Sequence, residues 1–146
     1  PEPGLSVKLS DDRSSYLRFS LPNNFSVLNA DDLKNLAPLG FVTLPEKCDV
    51  AATATSTRII SCFVPQSLPP QFSLPDDYFQ NAIFTIDDLF ITVLDRETET
   101  VTDVKLALKS GANGVPAIDS RNPKFVNDRI YFINQYDSQL YEIKAK

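Results

Sequence analysis

The chain has 146 residues, 42% of them hydrophobic and 23% charged, with a formal net charge of −5. This is the balance of one globular domain that buries roughly two-thirds of its unfolded surface, not of a disordered segment. The acidic sum argues against nucleic acid or an anionic membrane as partner, and no apolar run reaches the roughly 18 residues of a spanning helix.

Several residue types are missing. There is no His and there are only two Cys, which removes an imidazole base, the usual serine triad and a structural zinc site. No catalytic constellation, cofactor motif or metal-ligand set stands out, so no enzyme activity and no cofactor are expected. Four Gly against eleven Pro points to many short strands ended by proline. Pro1-Glu2-Pro3-Gly4 has neither the charge nor the apolar core of a leader. With no Met at position 1, the chain reads as a single domain, 1–146, cut from a longer secreted or surface protein.

In chain order, Leu5-Ser6-Val7-Lys8-Leu9 and Tyr16-Leu17-Arg18-Phe19-Ser20-Leu21 both alternate with period two. They predict a β-hairpin around Asp11-Asp12-Arg13-Ser14, with Leu17, Phe19 and Leu21 on one face and Pro22-Asn23-Asn24 ending it. Asn24-Phe25-Ser26 fits the N-glycosylation acceptor pattern, so Asn24 is a glycan candidate. From Asn29 to Pro38 the sequence predicts one or two helical turns, with Asn29 as N-cap and Asp31 and Asp32 in the first turn. Phe41-Val42-Thr43-Leu44 predicts a short strand ended by Pro45.

The stretch from Cys48 to Cys62 is rich in Thr, Val and Ile, whose branched Cβ suits a pleated surface. It predicts two antiparallel segments that turn near Thr55-Ser56-Thr57 and bring the two sulfurs together. A disulfide there stabilises by about 3 kcal/mol in the chain-entropy model. The alternative is a pair of buried free thiols.

Pro65, Pro69, Pro70 and Pro75 predict an extended crossover between sheets; a PxxP ligand is the other reading, although no Arg flanks it. The words Phe19-Ser20-Leu21-Pro22 and Phe72-Ser73-Leu74-Pro75 read as two strand ends of one kind, not as a repeat. Asp76 to Ala82 predicts a helical turn, Ile83-Phe84-Thr85-Ile86 a strand, and Leu89 to Leu94 a central strand. With Asp95 opposite Thr100, Leu89, Ile91 and Val93 share a core face with Thr102, Val104 and Leu106. Gly111 to Asn127 reads as a long surface loop. Arg129 to Asn134 and Gln139 to Lys144 predict a last hairpin around Gln135-Tyr136-Asp137-Ser138, with Ile130, Phe132, Tyr141 and Ile143 facing the core.

Eight or nine short strands with a turn signal about every ten residues predict an all-β, antiparallel β-sandwich. Its architecture is expected to be immunoglobulin-like, with one or two short helical turns. It is not of the antibody type, because Trp is absent and the two Cys are too close in sequence.

Asp pairs recur at Asp11-Asp12, Asp31-Asp32, Asp76-Asp77 and Asp87-Asp88. Leu94-Asp95-Arg96-Glu97 resembles a calcium-binding word of cadherin repeats, but the companion Asp-x-Asn-Asp-Asn is missing and Asp119-Ser120-Arg121-Asn122-Pro123 only echoes it. Solvated loop ends are therefore the expectation, with calcium as the lesser reading. The remaining candidates are partner-binding ones: Asn113 and Arg121 in the long loop, Tyr131 in the strand after it, and Tyr136 in the last turn. Together they predict a non-catalytic extracellular, cell-surface or periplasmic module, of an adhesin, receptor or envelope assembly, that recognises a protein partner. A carbohydrate- or small-ligand-binding domain accessory to a larger enzyme is the alternative, and a cytoplasmic domain with free thiols is a third.

Overall fold

The computed structural model describes residues 4–22, 24–53, 56–71 and 73–145. Pro1 to Pro3, Asn23, Thr55 and Phe72, which figure in the motifs above, lie outside the described residues. Among the described residues eleven strands form three antiparallel sheets. The first has the order β1 (Ser6–Leu9), β2 (Ser15–Ser20), β3 (Asn24–Asn29), β4 (Asn35–Pro38). The second has β5 (Cys48–Ala52), β6 (Thr57–Pro65), β7 (Asp87–Asp95), β8 (Thr100–Leu108), and the third β11 (Gln139–Lys144), β10 (Arg129–Asn134), β9 (Ser120–Val126). The all-β, antiparallel class is as expected. Each sheet is a meander of consecutive strands, so the connections do not follow the sheet-switching order of an immunoglobulin sandwich.

The second sheet has a core on each face. Leu17, Phe19 and Val27 of the first sheet cluster with Cys48, Ile60, Cys62 and Leu94 of the second. On the other side Phe63 and Leu89 of the second sheet cluster with Ile130 and Phe132 of the third, and the Phe63 and Phe132 rings lie 4.7 Å apart. A strand covered on both faces loses its alternation, and β6 is buried without a break from Ile60 to Val64. The side chains there divide by parity: Ile60, Cys62 and Val64 enter one cluster, Phe63 the other.

The terminal hairpins follow the sequence pattern closely. β1 pairs with β2, burying Leu17 and Phe19 completely, but Leu21 falls beyond β2 and stays 43% exposed. β10 and β11 pair with Asn134 opposite Gln139, Ile130 opposite Ile143 and Phe132 opposite Tyr141. Cys48 lies opposite Cys62 in the β5–β6 ladder, and their sulfurs are bonded.

Elsewhere the structure corrects the expectation. Residues 29–38 hold no helix; they form the turn and second strand of the β3–β4 hairpin. Asn29 Oδ1 accepts the Asp31 N–H and Asp32 Oδ1 the Lys34 N–H, each at 3.0 Å, and Leu33 takes a left-handed conformation with φ 58°. Short polar side chains that bond the backbone two residues on favour such a turn over a helix.

Residues 41–44 and 83–86 form no strand and join no ladder. Side chains replace ladder partners there: Thr43 Oγ1 donates to the Phe63 carbonyl at 2.6 Å, and the Thr85 N–H donates to Asp119 Oδ2 at 3.1 Å. The proline-rich segment is no crossover between sheets. It leaves β6 and returns to the adjacent β7, with Pro65 opposite Asp87, after one helical turn, α1 (Asp76–Phe79). Asp95 does pair with Thr100, but the register shifts between Val93 and Leu94, so Val93 faces Asp103 and Thr92 faces Val104. That bulge shifts the β8 pairing by one position, and β8, at the edge of its sheet, is exposed without a break from Thr102 to Leu106, Val104 and Leu106 included. The last part of the expected long loop is strand β9, and Ser120 at its start and Asp119 just before it are fully buried.

Candidate functional site

Three segments far apart in sequence meet at one buried polar cluster. Pro45 opens a 3-10 turn (Pro45–Lys47) whose Lys47 N–H donates to the Leu44 carbonyl at 2.9 Å. The next residue, Cys48, is tied to β6 by its disulfide, so the Lys47 side chain is held inside, 1% exposed. Asp87 begins β7, its N–H donating to the Ile118 carbonyl at 2.7 Å. Asp119 immediately precedes β9; its N–H donates to Asn134 Oδ1 at 3.0 Å and its carbonyl accepts the Gln135 N–H at 2.9 Å.

Lys47 Nζ lies 2.5 Å from Asp87 Oδ2, 2.6 Å from Asp119 Oδ1 and 3.0 Å from Thr85 Oγ1, and 4.7 Å from the centre of the Tyr78 ring. Asp119 Oδ1 also accepts from the Tyr78 hydroxyl at 3.3 Å and from Gln135 Nε2 at 3.4 Å. Asp87 Oδ2 accepts the Ser120 N–H at 3.0 Å, while Asp87 Oδ1 is buried with no partner.

Burial works to lower the pKa of Lys47, but Asp87, Tyr78 and Asp119 outweigh it and hold it raised. Burial also raises Asp87, beyond what the attraction of Lys47 offsets, and it raises the Tyr78 phenol. Both directions have one physical source: two carboxyl groups crowd a single ammonium in a dry interior. Two ionised carboxylates around one cation would leave a net charge in a dry interior, which is costly. Asp87 is thus no solvated loop end, in contrast to the expectation for the Asp pairs.

The cluster reaches the surface through Thr85. Tyr136 Oη donates to the Thr85 carbonyl at 3.1 Å, and the Tyr136 ring lies 5.6 Å from that of Phe84. Phe84 is 55% exposed and Tyr136 46%, with Ile86 exposed two residues after Phe84. A second way out runs past Tyr78, where Glu46, Tyr78, Phe79, Arg121 and Asn122 line a cleft of about 140 Å³.

The residues singled out from sequence are scattered over this frame. Tyr136 sits in the β10–β11 turn and touches the network through Thr85. Arg121 is half-buried in β9, donating to Asn81 Oδ1 at 2.5 Å with its guanidinium 5.4 Å from the Tyr78 ring centre. Asn113 is exposed in the loop before β9, with φ 53°. Tyr131 is half-buried in β10, opposite Glu142 and Lys124. Asn24 is exposed at the start of β3 and lines a groove of about 410 Å³ with Arg18, Ser20 and Ser26.

The acidic words have local duties. Asp12 accepts from Ser10 and Ser14, Asp88 from Gln66 and Ser110, and Asp95 from the N–H groups of Glu97 and Thr98 in its own turn. Among the described residues, no group of three or more His, Cys, Asp or Glu could hold a metal ion, and no helix is long and apolar enough to cross a membrane. Lys47 was not singled out from the sequence, and Asp87 and Asp119 stood only in acidic words expected to be solvated, because nothing local marks the three as partners. The one available signal was charge at the border of apolar runs, which usually denotes a strand end. Compared with known families and with curated proteins, the chain matches no family model and no curated sequence.

Proposed function

We propose that the chain is a non-catalytic binding module of a secreted, surface or periplasmic protein, and that it presents the Phe84–Tyr136 face to a protein partner. The observation that carries this reading is the paired, half-exposed aromatic rings held against a rigid frame by the Tyr136 bond to the Thr85 carbonyl. Aromatic side chains fixed in this way bury much area on binding at little cost in side-chain freedom, and they dominate binding hot spots. The intrachain disulfide favours an oxidising compartment. The ionisable cluster beneath the patch is buried, so it supports the surface and does not process a substrate.

The test is a binding screen against extracellular proteins with wild type and Phe84→Ser/Tyr136→Ser. Partners retained by wild type and lost by the double variant, at unchanged melting temperature, support the reading. Equal binding by both discards this face.

The polar groove of Arg18, Ser20, Asn24 and Ser26 favours carbohydrate binding as the second reading. Glycan-array binding that is lost in Ser26→Leu would transfer the function to the first sheet.

A further inference from the structure

A structural ion pair needs one lysine and one carboxylate, and this interior holds a lysine with two carboxyl groups. The two are not equivalent. Asp119 has both oxygens engaged: Oδ1 by Lys47, Tyr78 and Gln135, and Oδ2 by the Thr85 N–H. Asp87 uses only Oδ2, which takes Lys47 Nζ at 2.5 Å and the Ser120 N–H at 3.0 Å, and its buried Oδ1 has no donor or acceptor. An unpartnered carboxyl oxygen in a dry interior is costly and has no structural use. It is, however, the atom that departs when a carboxylic acid is converted to an amide.

From this geometry we propose that Lys47 and Asp87 condense into an intramolecular amide bond, with Asp119 as the proton acceptor. Asp119 Oδ1 takes one proton from the ammonium group and exposes the nitrogen lone pair. The amine attacks Cγ of the neutral Asp87 carboxyl, whose protonated state burial favours. Charge developing on Oδ2 is held by the Ser120 N–H, as a backbone donor holds an oxyanion in acyl transfer. The new bond is Nζ–Cγ and the broken one is Cγ–Oδ1.

Of the three ammonium protons, one goes to Asp119, one leaves with the Asp87 hydroxyl as water, and one stays on the amide nitrogen. Nothing is oxidised or reduced, and no co-reactant is needed. The product is neutral. Its N–H faces Asp119 Oδ1, its carbonyl keeps the Ser120 N–H, and the oxygen without a partner is gone. The event happens once per chain and turns over no substrate, so it stands independently of the partner-binding reading. Its consequence is a covalent clamp from the turn before β5 to the start of central strand β7, unaffected by reduction of Cys48–Cys62.

The deciding measurement is the intact mass of the purified chain after full reduction and denaturation. The expected mass is lower than the sequence mass by one water. Tryptic digestion then yields peptide 35–58 joined to peptide 59–96, uncleaved after Lys47. The full sequence mass overturns the proposal, and peptide 35–58 joined instead to 110–121 overturns Asp87 as the acyl donor. Asp87→Asn presents an amide in place of the acid and is expected to lose one ammonia instead of one water. Asp119→Ala is expected to keep its full mass while its circular dichroism remains that of a β-protein; condensation in that variant overturns the role of Asp119. The wild-type mass decides the question even if a variant does not fold.

Discussion

Lys47 and Asp119 stand 72 residues apart in the chain, yet Nζ of one lies 2.6 Å from Oδ1 of the other, and neither side chain reaches solvent. The contact fastens the turn that opens the second sheet to the strand that opens the third. Removing one partner of such a buried set costs far more than the set contributes, because the remaining charge has nowhere to go. Lys47→Met is therefore expected to destabilise the unlinked fold by about 3–5 kcal/mol, and Lys47→Met/Asp87→Asn/Asp119→Asn to recover part of the loss. Urea denaturation followed by circular dichroism checks this. A triple variant as unstable as the single one would refute it.

Thr92 is the opposite case. It is fully buried in β7 facing Val104, and its Oγ1 has no partner. Replacing an unsatisfied hydroxyl with a methyl group of the same shape removes a desolvation cost and no bond. Thr92→Val is expected to raise stability by up to about 1 kcal/mol. A loss of stability in the same denaturation series would show that the hydroxyl has a use.

Asp12 sets a pH dependence with a definite sign. Burial pushes its pKa up, but hydrogen bonds from Ser10 and Ser14 and the Arg58 guanidinium, 3.0 Å away, outweigh that and hold it at about 2, below the usual 3.8. A carboxyl with a depressed folded-state pKa adds stability above the unfolded value, and the gain is lost as pH falls through the folded one. The stability difference between wild type and Asp12→Asn should be constant near neutrality and shrink between pH 3.8 and about 2. A difference that persists at the acid end would place the contribution elsewhere.

The Cys48–Cys62 bond closes a loop with a sequence separation of 14 inside the core shared by the first two sheets. Cys48→Ala/Cys62→Ala is expected to cost about 3 kcal/mol, mainly through the freer unfolded chain. The checking measurement is a lower urea midpoint at a slope that does not fall. A rise in slope would report the more exposed unfolded chain, whereas a fall would mean that the folded state itself loosened.

Period-two alternation in the terminal hairpins placed Leu17, Phe19, Ile130 and Phe132 inside, and the β-branched run before Cys62 placed the two sulfurs opposite each other. These are local relations, set within about twenty residues by pleat and turn. The helix expected after Asn29 failed for a local reason as well: Asn29 and Asp32 bond the turn backbone and outbid a helix too short to sustain itself. The bulge near Val93 lay beyond pattern reading, because the side-chain alternation of β8 survives a slip of one residue equally well.

The sequence by itself determined an all-β chain with its two end hairpins and a pairing of the two cysteine segments, since period, turn chemistry and cysteine spacing act between near neighbours. It left the bond itself open against free thiols. Only the tertiary structure decided that the middle sheet is covered on both faces. It alone gathered Lys47, Asp87 and Asp119 in one dry site under the Phe84–Tyr136 surface. The reason is physical: a buried charge is tolerated only where distant strands bring its counter-charge, and no residue near Lys47 in the chain records where that counter-charge will come from.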